Sequence, residues 1–356
     1  MKGIIVAITV LSLCVALLAQ DPKTPEAKRP PMLKVVGNKI VTVDGGTEVW
    51  LQGVNIPSLE WGPDGDDLIK SAEVAIADWH ANVIRLPLSQ DRWFGKGERQ
   101  TDEGEAYRQR VDEMVAYCAS KGAYVIIDLH WSDAGHWGKY MQQKNMPDPN
   151  SVTFWKDAAK RYANHPAVLF DLYNEPRNIT WDVWRNGGEM REVADNKDPL
   201  VYQTVGMQGI LDAVRSTGAK NIVLAGGIDW AYDLSGILKG FALLDTDGNG
   251  VVYSTHIYPW KGDWENKVGA IAKYHPVLVG EVGCEIDAKQ ESPYTWGPDM
   301  LGYIQQKKLH WTGWCFHPSA SPRMLQDFDK FTPTPYWGAF AKAALLGAKF
   351  TPSRLR

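Results

Sequence analysis

Eight short apolar segments, separated by helical patterns, constrain the fold of this chain more than any other feature of its sequence. They are continuously apolar rather than alternating, which is typical of parallel strands that helices cover on the outside. Counted from Val49, they extend over roughly 270 residues, which is close to the usual size of a (β/α)₈ barrel. The segments are 48–55, 82–88, 124–130, 168–174, 221–225, 251–258, 277–281 and 311–316.

The stretches between these strands predict helices, so the predicted fold class is α/β, a (β/α)₈ TIM barrel. Ahead of the barrel, Asp44-Gly45-Gly46 separates the β-rich runs 33–43 and 48–55 and predicts an N-terminal β-hairpin. The predicted helices are 67–80, 107–121, 152–164, 200–216, 264–273, 299–307 and 335–346.

Residues 1–20 predict a secretory signal peptide. Lys2 precedes the apolar stretch 4–18, and Ala19 is a small residue before the expected cut. The stretch of about fifteen residues is short for a membrane span. Leu17 fits a cleavage site poorly, so an uncleaved anchor is the alternative. With cleavage, we expect an extracellular or periplasmic protein with no membrane contact.

One domain accounts for the rest of the chain. Residues 21–32 contain four prolines and predict an extended tether. The barrel is predicted over 33–350, followed by a short tail at 351–356. We see no second linker that would divide the barrel region, and we expect a monomer.

Composition narrows the class of ligand. With 38 Lys+Arg against 42 Asp+Glu, the formal net charge is −4, which argues against a nucleic-acid partner. The 16 Trp, 14 Tyr and 9 Phe make up 11% of the chain. They indicate either a large core or exposed platforms for a flat ligand, and sugars are the commonest such ligand of secreted proteins.

The four cysteines are too few for a disulfide framework. Removal of the predicted signal takes away Cys14, so at least one of Cys118, Cys284 and Cys315 is unpaired in a monomer. Cys118 lies in an apolar helical pattern that predicts burial. Whether Cys284 and Cys315 pair with each other stays open.

Polar and aromatic side chains occupy the ends of the predicted strands. Barrel active sites lie at the C-terminal ends of the strands, so these residues are the candidates for function. They are Asn55, Arg85, His130, Asn174, Glu175, His256, Tyr258, Glu281 and Trp314.

Glu175 and Glu281 end two different strands, and a barrel would bring both into one mouth. Paired carboxylates in one cleft suit hydrolysis of a glycosidic bond. One donates a proton to the leaving oxygen, and the other attacks the anomeric carbon or activates water. The alternative is a pair of surface glutamates in salt bridges, which would predict polar flanks rather than the apolar strand endings present here.

Several motifs in order resemble glycoside hydrolase family 5, over residues 33–346. Asn-Glu-Pro alone recurs by chance, and the specificity of the resemblance comes from the ordered set. The closing stretch 331–338 is similar to the way cellulases of this family end. The other motifs are 82–87 (NVIRLP), 127–131 (IDLHW), 173–176 (YNEP), 256–260 (HIYPW), 280–281 (GE) and 313–314 (GW).

The resemblance implies a retaining mechanism without a cofactor. Glu175, paired with Asn174 on the fourth strand, matches the family's acid/base, and Glu281 on the seventh strand matches the nucleophile. Retention implies carboxyl groups about 5–5.5 Å apart and a covalent glycosyl intermediate. Repulsion from Glu281 and a low local dielectric would raise the pKa of Glu175 until Glu281 is consumed in the ester.

The remaining site residues are expected to support this pair. A cation beside Glu281 keeps it ionised, and Arg85 fits that place. Tyr258 can donate its hydroxyl to the same carboxylate, and Asn174 can bind the sugar 2-hydroxyl. The family's two site histidines and the flat floor for the sugar at the cleavage point correspond to His130, His256 and Trp314.

Six tryptophans fall in predicted strand-to-helix loops on the active face. They are candidate platforms for neighbouring sugar units, with burial as loop anchors the alternative. They are Trp61, Trp131, Trp137, Trp181, Trp230 and Trp260. Trp79 and Trp155 lie on helical patterns and are predicted to pack in the core.

Two metal interpretations are weaker. His130, Asp133 and His136 lack a recognised ligand spacing, so we expect no metal there. The stretch 245–250 resembles the front half of a calcium loop, but His256 stands where the glutamate at the twelfth position would be required. A tight turn into the sixth strand explains it better, and weak calcium binding stays open.

The sequence therefore predicts a secreted endo-β-1,4-glucanase, a cellulase whose partner is a β-glucan polysaccharide or oligosaccharide. A retaining hydrolase of another β-glycan, mannan or xyloglucan, is the main alternative, because the fold and catalytic pair would be the same. A non-catalytic sugar-binding protein is the third hypothesis, and the presence of both glutamates argues against it.

Overall fold

Eight parallel strands form a closed barrel in the structure, a computed structural model that describes residues 29–193, 199–287 and 291–356. Each strand pairs with the next along the chain, and the eighth pairs with the first. The barrel prediction is confirmed. The strands are β1 Gln52–Asn55, β2 Val83–Ser89, β3 Tyr124–Trp131, β4 Val168–Asp171, β5 Val223–Gly226, β6 Val251–Ile257, β7 Val277–Val282 and β8 His310–Gly313.

The barrel strands lack polar alternation because both of their faces are covered. Every residue of β2 is buried. Ile84 and Leu86 belong to the main hydrophobic core. Arg85, between them, points into the barrel and contacts side chains from several other strands. One strand thus supplies both the apolar packing and a charged group for the site.

Helices connect the strands and cover the barrel. They are α1 Leu68–Ala77, α2 Gln90–Trp93, α3 Glu105–Ser120, α4 Pro149–Arg161, α5 Trp181–Asn186, α6 Met207–Arg215, α7 Ala270–Ala272 (continuing a π-helical turn, Glu265–Gly269), α8 Pro293–Lys307 and α9 Gly338–Leu345. The start of α4 has a clear cause. Asp148 accepts hydrogen bonds from the backbone of Asn150 and Ser151, and Pro149 occupies the first helical position.

The prediction of one helix over 200–216 is wrong. Leu200–Thr204 is a strand that pairs antiparallel with Gly188–Glu192, and α6 begins only at Met207. Tyr202 lies opposite Met190 in this hairpin, and both are buried. Burial of every second residue, a period of two rather than 3.6, therefore decides the conformation of this segment.

The N-terminal β-hairpin is present, but its turn differs from the predicted one. Leu33–Val36 pairs with Lys39–Thr42, so the chain reverses at Gly37-Asn38 within the run predicted as one strand. Asp44–Gly46 forms a second reversal, closed by a bridge between Val41 and Glu48. Gly37 has a φ of +60°, which explains why the chain can turn there.

The hairpin covers the end of the barrel opposite the strand C-termini. Leu33 and Ile40 belong to a second apolar cluster together with Leu51, Val83 and Tyr124, which lie at or before the first residues of β1, β2 and β3. This leaves the C-terminal end of the barrel open for a site.

The buried residues follow the sequence predictions in part. Trp79 and Trp155 are fully buried, as predicted. Cys118, Cys284 and Cys315 are buried free thiols, which settles the open question of a Cys284–Cys315 pair. The predicted signal at 1–20 and most of the tether lie outside the described residues. Within the described part of the chain, no helix has the length and hydropathy needed to cross a bilayer.

Candidate active site

A cleft of about 820 Å³ opens at the C-terminal ends of the strands, where a barrel fold places its site. Six residues predicted from strand ends line it: His130, Asn174, Glu175, Tyr258, Glu281 and Trp314. The fold therefore gathers residues that are widely separated in sequence around one cavity.

Glu175 and Glu281 face each other across this cleft. One carboxyl oxygen of each, together with a ring nitrogen of His256, lie within 4.8 Å of one another. Only 8% of Glu175 and 3% of Glu281 are exposed. This close approach of the two side chains is compatible with the about 5–5.5 Å between the carboxyl groups of retaining pairs.

The position of Glu281 depends on the glycine before it. Glu281 lies opposite His256 in the β6–β7 pairing. A Cβ atom on Gly280 would lie 2.6 Å from Ser254 Oγ and 3.1 Å from His256 Nε2. A side chain at position 280 would therefore require Ser254 and His256 to shift, and His256 is the residue that contacts Glu175 and faces Glu281.

Arg85 lies beneath Glu281, inside the barrel. Its Nη1 donates to Glu281 Oε1 at 2.9 Å, and its Nε donates to Asp171 at 2.9 Å. Its Nη2 lies 3.0 Å from Asp128. Burial alone would lower the pKa of the guanidinium, but these three carboxylates outweigh it and raise the pKa. Arg85 therefore stays charged and compensates the charge of Glu281.

Tyr258 contacts the other oxygen of Glu281. Its hydroxyl donates to Oε2 at 2.6 Å. Burial raises the pKa of Tyr258 well above its usual value, so the phenol keeps its proton and remains a donor. Because Arg85 and Tyr258 hold different oxygens, the plane of the Glu281 carboxylate is fixed.

Glu175 has a different environment, without an ion pair to Arg or Lys among the described residues. His256 Nδ1 lies 2.8 Å from Oε1, and the side-chain amide of Gln143 donates to Oε2. Burial raises the pKa of Glu175, although His130, Gln143 and Arg177 act against this shift. Burial also lowers the pKa of His256 to about 3, so the imidazole is neutral. The surroundings of Glu175 thus favour the protonated form, whereas Glu281 lies beside a buried guanidinium and a hydroxyl donor.

One wall of the cleft is formed by His130 and Trp314, whose rings stack 5.5 Å apart at 11°. His130 Nδ1 lies 2.6 Å from Asp128 Oδ2, and its Nε2 lies 3.2 Å from Asn174 Nδ2. A proton on Nδ1 satisfies both contacts, because Nε2 then accepts from the amide. Asn174 also accepts from Arg85 at 2.8 Å, so its amide orientation is fixed.

Three of the predicted site residues are buried behind the surface of the cleft and do not line it. Arg85 and His256 are buried and do not line the cavity, so they reach a substrate only through the two glutamates. Asn55, at the end of β1, is fully buried and donates to the carbonyl of Gly280 at 2.9 Å. It supports the backbone next to Glu281.

The six candidate platforms divide into two groups. Trp230 and Trp260 line the cleft and are 42% and 58% exposed. Trp260 stacks on Tyr258 at 5.1 Å and 6°. The other four do not line this cavity: Trp61, Trp131, Trp137 and Trp181.

Among these four, Trp181 is half-buried and packs against the main core. Its ring lies 5.1 Å from that of Trp184 and stacks on Phe241 at 5.9 Å. Trp61 and Trp137 are half-buried and pack edge-on against His317 and Phe94. These packing contacts are those of loop anchors, and sugar contact by Trp61, Trp137 and Trp181 stays a prediction.

Several cleft residues were not predicted from the sequence. Lys261 Nζ lies 2.8 Å from Asp229 and 5.2 Å from the centre of the Trp230 ring. Lys261 directly follows the 256–260 motif, which could have indicated it. Gln143 lies within a long loop that carries no local signal. The other unpredicted lining residues include Pro259, Glu285, Asp287, Ser321 and Pro322.

The weak metal interpretations receive structural answers. Asp133 bonds with Gln90 and Asn150, away from the contacts of His130. Within the described ranges, the side chains spaced as metal ligands are Glu175, His256 and Glu281 themselves.

The calcium-like stretch 245–250 is held by a cation of the protein. Arg215 forms two hydrogen bonds with Asp245, at 2.8 and 2.9 Å, and Asp245 Oδ2 accepts from the backbone of Gly250. Asn249 donates to the carbonyl of Leu33. The loop therefore forms a turn into β6 that also fastens the N-terminal hairpin.

Comparison with known proteins identifies the family. The sequence profile described as Cellulase (glycosyl hydrolase family 5) matches residues 43–320. The chain belongs to glycosyl hydrolase family 5. The resemblance predicted from the motifs is thereby confirmed, and with it the assignment of the chain to the glycoside hydrolases.

Curated relatives in this family are named as endoglucanases and cellulases. The endoglucanase of Paenibacillus polymyxa is 26% identical over 335 residues, covering 80% of this chain and 79% of the relative. The cellulase CelDZ1 of a Thermoanaerobacterium species is 25% identical and covers 81% and 71%. The major extracellular endoglucanase of Xanthomonas campestris is 25% identical and covers 75% and 61%.

Solved structures of family 5 share the fold. The β-glucanase SdGluc5_26A of Saccharophagus degradans superposes with a TM-score of 0.70 at 26% identity, covering 90% of this chain and 94% of that one. The same β-glucanase has also been solved in complex with cellotetraose.

Proposed function

We propose that this chain is a secreted, retaining endo-β-1,4-glucanase with Glu175 as acid/base and Glu281 as nucleophile. The observation that carries the proposal is the Glu175–Glu281 pair, close together in one cleft but in opposite electrostatic environments. Arg85 and Tyr258 donate to Glu281 and stabilise its charge. Burial raises the pKa of Glu175, which suits a proton donor.

In the first step, a carboxylate oxygen of Glu281 attacks the anomeric carbon. The glycosidic C–O bond breaks as Glu175 transfers its proton to the leaving oxygen. The products are a glycosyl ester on Glu281 and a sugar chain with a new free hydroxyl. Asn174 and the ring of Trp314 lie where they can contact the sugar at the cleavage point.

In the second step, Glu175 is a carboxylate and accepts a proton from water. The water oxygen attacks the anomeric carbon, the ester bond breaks and Glu281 leaves as a carboxylate. Once Glu281 is esterified its negative charge is gone, which lowers the pKa of Glu175 relative to the first step. Two inversions at the same carbon retain the configuration.

The endo-β-1,4-glucan substrate is supported by the names of the relatives. The endoglucanases and cellulases match most of this chain, and the Saccharophagus β-glucanase binds cellotetraose. Trp230 and Trp260, which line the cleft, supply exposed rings that can stack on further sugar units. Secretion is proposed from the signal-like residues 1–20, and one relative is described as extracellular.

A reducing-sugar assay on five polysaccharides tests the proposal, with Glu281→Gln as the control. The substrates are carboxymethylcellulose, barley β-glucan, mannan, xyloglucan and xylan. We expect the highest rates on the first two and no detectable rate in the variant. Highest activity on mannan or xyloglucan would overturn the substrate, and binding without turnover on all five would indicate a sugar-binding protein.

A further inference from the structure

Gln143 contacts Glu175, the proposed proton donor, from a loop outside the eight strands. Neither of the two chemical steps above involves Gln143. Its side-chain amide donates to Glu175 Oε2 and lines the cleft beside it. It lies in the loop 132–148 between β3 and α4. A half-buried side chain on a long loop would ordinarily be mobile. The contact with Glu175 can be stable only if other residues hold the backbone of Gln143 in place.

The backbone around Gln143 is fixed on both sides. Gln142 forms a two-bond bridge to Ser132, at 3.0 and 3.1 Å. On the other side, Arg177 donates to the carbonyls of Gln143 and Lys144. The same guanidinium donates to the carbonyl of Glu175 at 3.2 Å. Arg177 thus ties the loop to the segment that carries the proton donor.

Resting on the proposed function, we propose that Gln143 is a positioning residue for the acid/base. Arg177 fixes the backbone of Gln143, and the side-chain amide of Gln143 then holds the Glu175 carboxyl in contact with His256. The same hydrogen bond stabilises the ionised form of Glu175 that the second step requires. Gln143 itself exchanges no proton with the substrate and acts through the Glu175 carboxyl that it contacts.

The two oxygens of Glu175 have separate partners, which supports this role. Oε1 is 2.8 Å from His256 Nδ1, and Oε2 accepts from Gln143. A carboxyl held at both oxygens cannot rotate away from the leaving oxygen. Burial raises the pKa of Glu175, and the Gln143 hydrogen bond opposes that rise. Loss of the amide therefore raises this pKa further.

Other charged and titratable groups also face Glu175, from β2, β3, β6, β7 and the segment after β4. None of them is altered when Gln143 is replaced, so a change in pH dependence reports the amide. They are Arg85, His130, Arg177, His256, Tyr258 and Glu281.

The test compares Gln143→Met with Gln142→Met. Gln142 is the exposed neighbour and keeps its backbone bridge after substitution, so it is a matched control. The readout is kcat/KM on barley β-glucan against pH, because its limbs report the free enzyme. For Gln143→Met we expect the alkaline limb to move up by about one pH unit. We also expect kcat to fall roughly tenfold to a hundredfold.

A second variant, Gln143→Glu, keeps the size of the side chain but replaces the donor with a carboxyl group. Its charge should move the alkaline limb further up than Gln143→Met does. Gln142→Met should retain the parent profile. Circular dichroism of all variants establishes that they are folded. If Gln143→Met is folded and the alkaline limb of its kcat/KM profile lies at the same pH as that of the parent, the inference is overturned.

Glu175→Gln, assayed in parallel, separates this inference from the proposed function. If Glu175→Gln turns over at a near-normal rate, Glu175 is not the acid/base and both proposals fail. If Glu175→Gln is inactive but the Gln143→Met profile matches the parent, only the positioning role fails.

Discussion

Arg85 and Glu281 form a hydrogen-bonded ion pair in which Nη1 lies 2.9 Å from Oε1, with the guanidinium fully buried inside the barrel. Asp128 and Asp171 contact the same guanidinium. The charge of a Glu281 carboxylate is therefore compensated from inside the barrel, while Glu281 still lines the cleft.

We expect Arg85→Met to cost stability as well as activity. Three buried carboxylates would lose their shared cation, and removing one partner of a buried ion pair costs about 3–5 kcal/mol. Arg85→Lys is the matched control, because one ammonium keeps the charge but cannot reach all partners. Urea unfolding and kcat on β-glucan are the measurements. An Arg85→Met variant as stable as the parent would contradict this account.

The two glutamates should differ in chemical rescue. We expect Glu175→Gln to lose about 10²–10⁴-fold in kcat, typical of a lost general acid. We expect Glu281→Gln to lose at least as much, since no covalent intermediate forms. With azide, Glu281→Ala should yield a glycosyl azide of inverted configuration, because azide attacks the substrate directly. Product NMR checks this, and an inverted azide from Glu175→Ala instead would exchange the two roles.

The barrel was predictable because parallel strands that are covered on both faces have continuously apolar sequences. The meeting of Glu175 and Glu281 in one cleft was predictable for the same reason. Glu175 and Glu281 stand directly after such runs, so the topology alone brings them into one cleft. Arg85 breaks an apolar run with a charge, which is itself a signal that a partner lies inside the barrel.

Side-chain contacts from loops were not predictable in this way. Gln143 reaches Glu175 because distant residues fix its loop, and no periodicity encodes that placement. Trp181 shows the converse, since a tryptophan in an active-face loop turned out to pack on Phe241. The misassigned segment 200–204 has apolar residues that fit two periods, and its pairing with 188–192 decided between them.

Trp260 and Trp181 should respond differently to alanine. Trp260 is largely exposed over Tyr258, so its removal should leave stability unchanged and raise KM on β-glucan about tenfold, or ~1.4 kcal/mol. Trp181 is partly buried against the core, so its removal should lower stability, by less than the about 3–5 kcal/mol that loss of a fully buried tryptophan costs. Thermal unfolding and KM, measured on both variants, check this. A raised KM in Trp181→Ala at unchanged stability would restore it as a platform.

Calcium should not stabilise this protein through the loop at 245–250. The Arg215 guanidinium already binds Asp245, and the pair is almost fully buried. We expect Tm to be unchanged by millimolar calcium or by EDTA, because a ligand that does not bind cannot shift unfolding. Arg215→Gln should lower stability by about 3–5 kcal/mol. A rise in the Tm of the parent with calcium concentration would show that the loop binds calcium.

Glu60 should make stability fall as pH rises. It is buried next to the site, where it accepts a hydrogen bond from the backbone of Ser58. Burial raises its pKa to about 8, helped by the nearby charges of Asp128 and Glu281 and opposed by backbone hydrogen bonds. Between the ordinary glutamate pKa of 4.5 and about 8, the folded state holds a proton that the unfolded state has lost.

Because the pKa of Glu60 is higher in the folded state than in the unfolded state, the free energy of unfolding decreases as pH rises. Stability contributed by neutral Glu60 is complete below pH 4.5 and decreases by about 1.4 kcal/mol per pH unit until the folded pKa is reached. Glu60→Gln removes this dependence, so its advantage over the parent should grow from pH 5 to pH 8. Urea unfolding at pH 4.5, 6 and 8 measures it, with exposed Glu189→Gln as the control. A difference between parent and Glu60→Gln that stays constant across these pH values would mean that folding does not raise the pKa of Glu60.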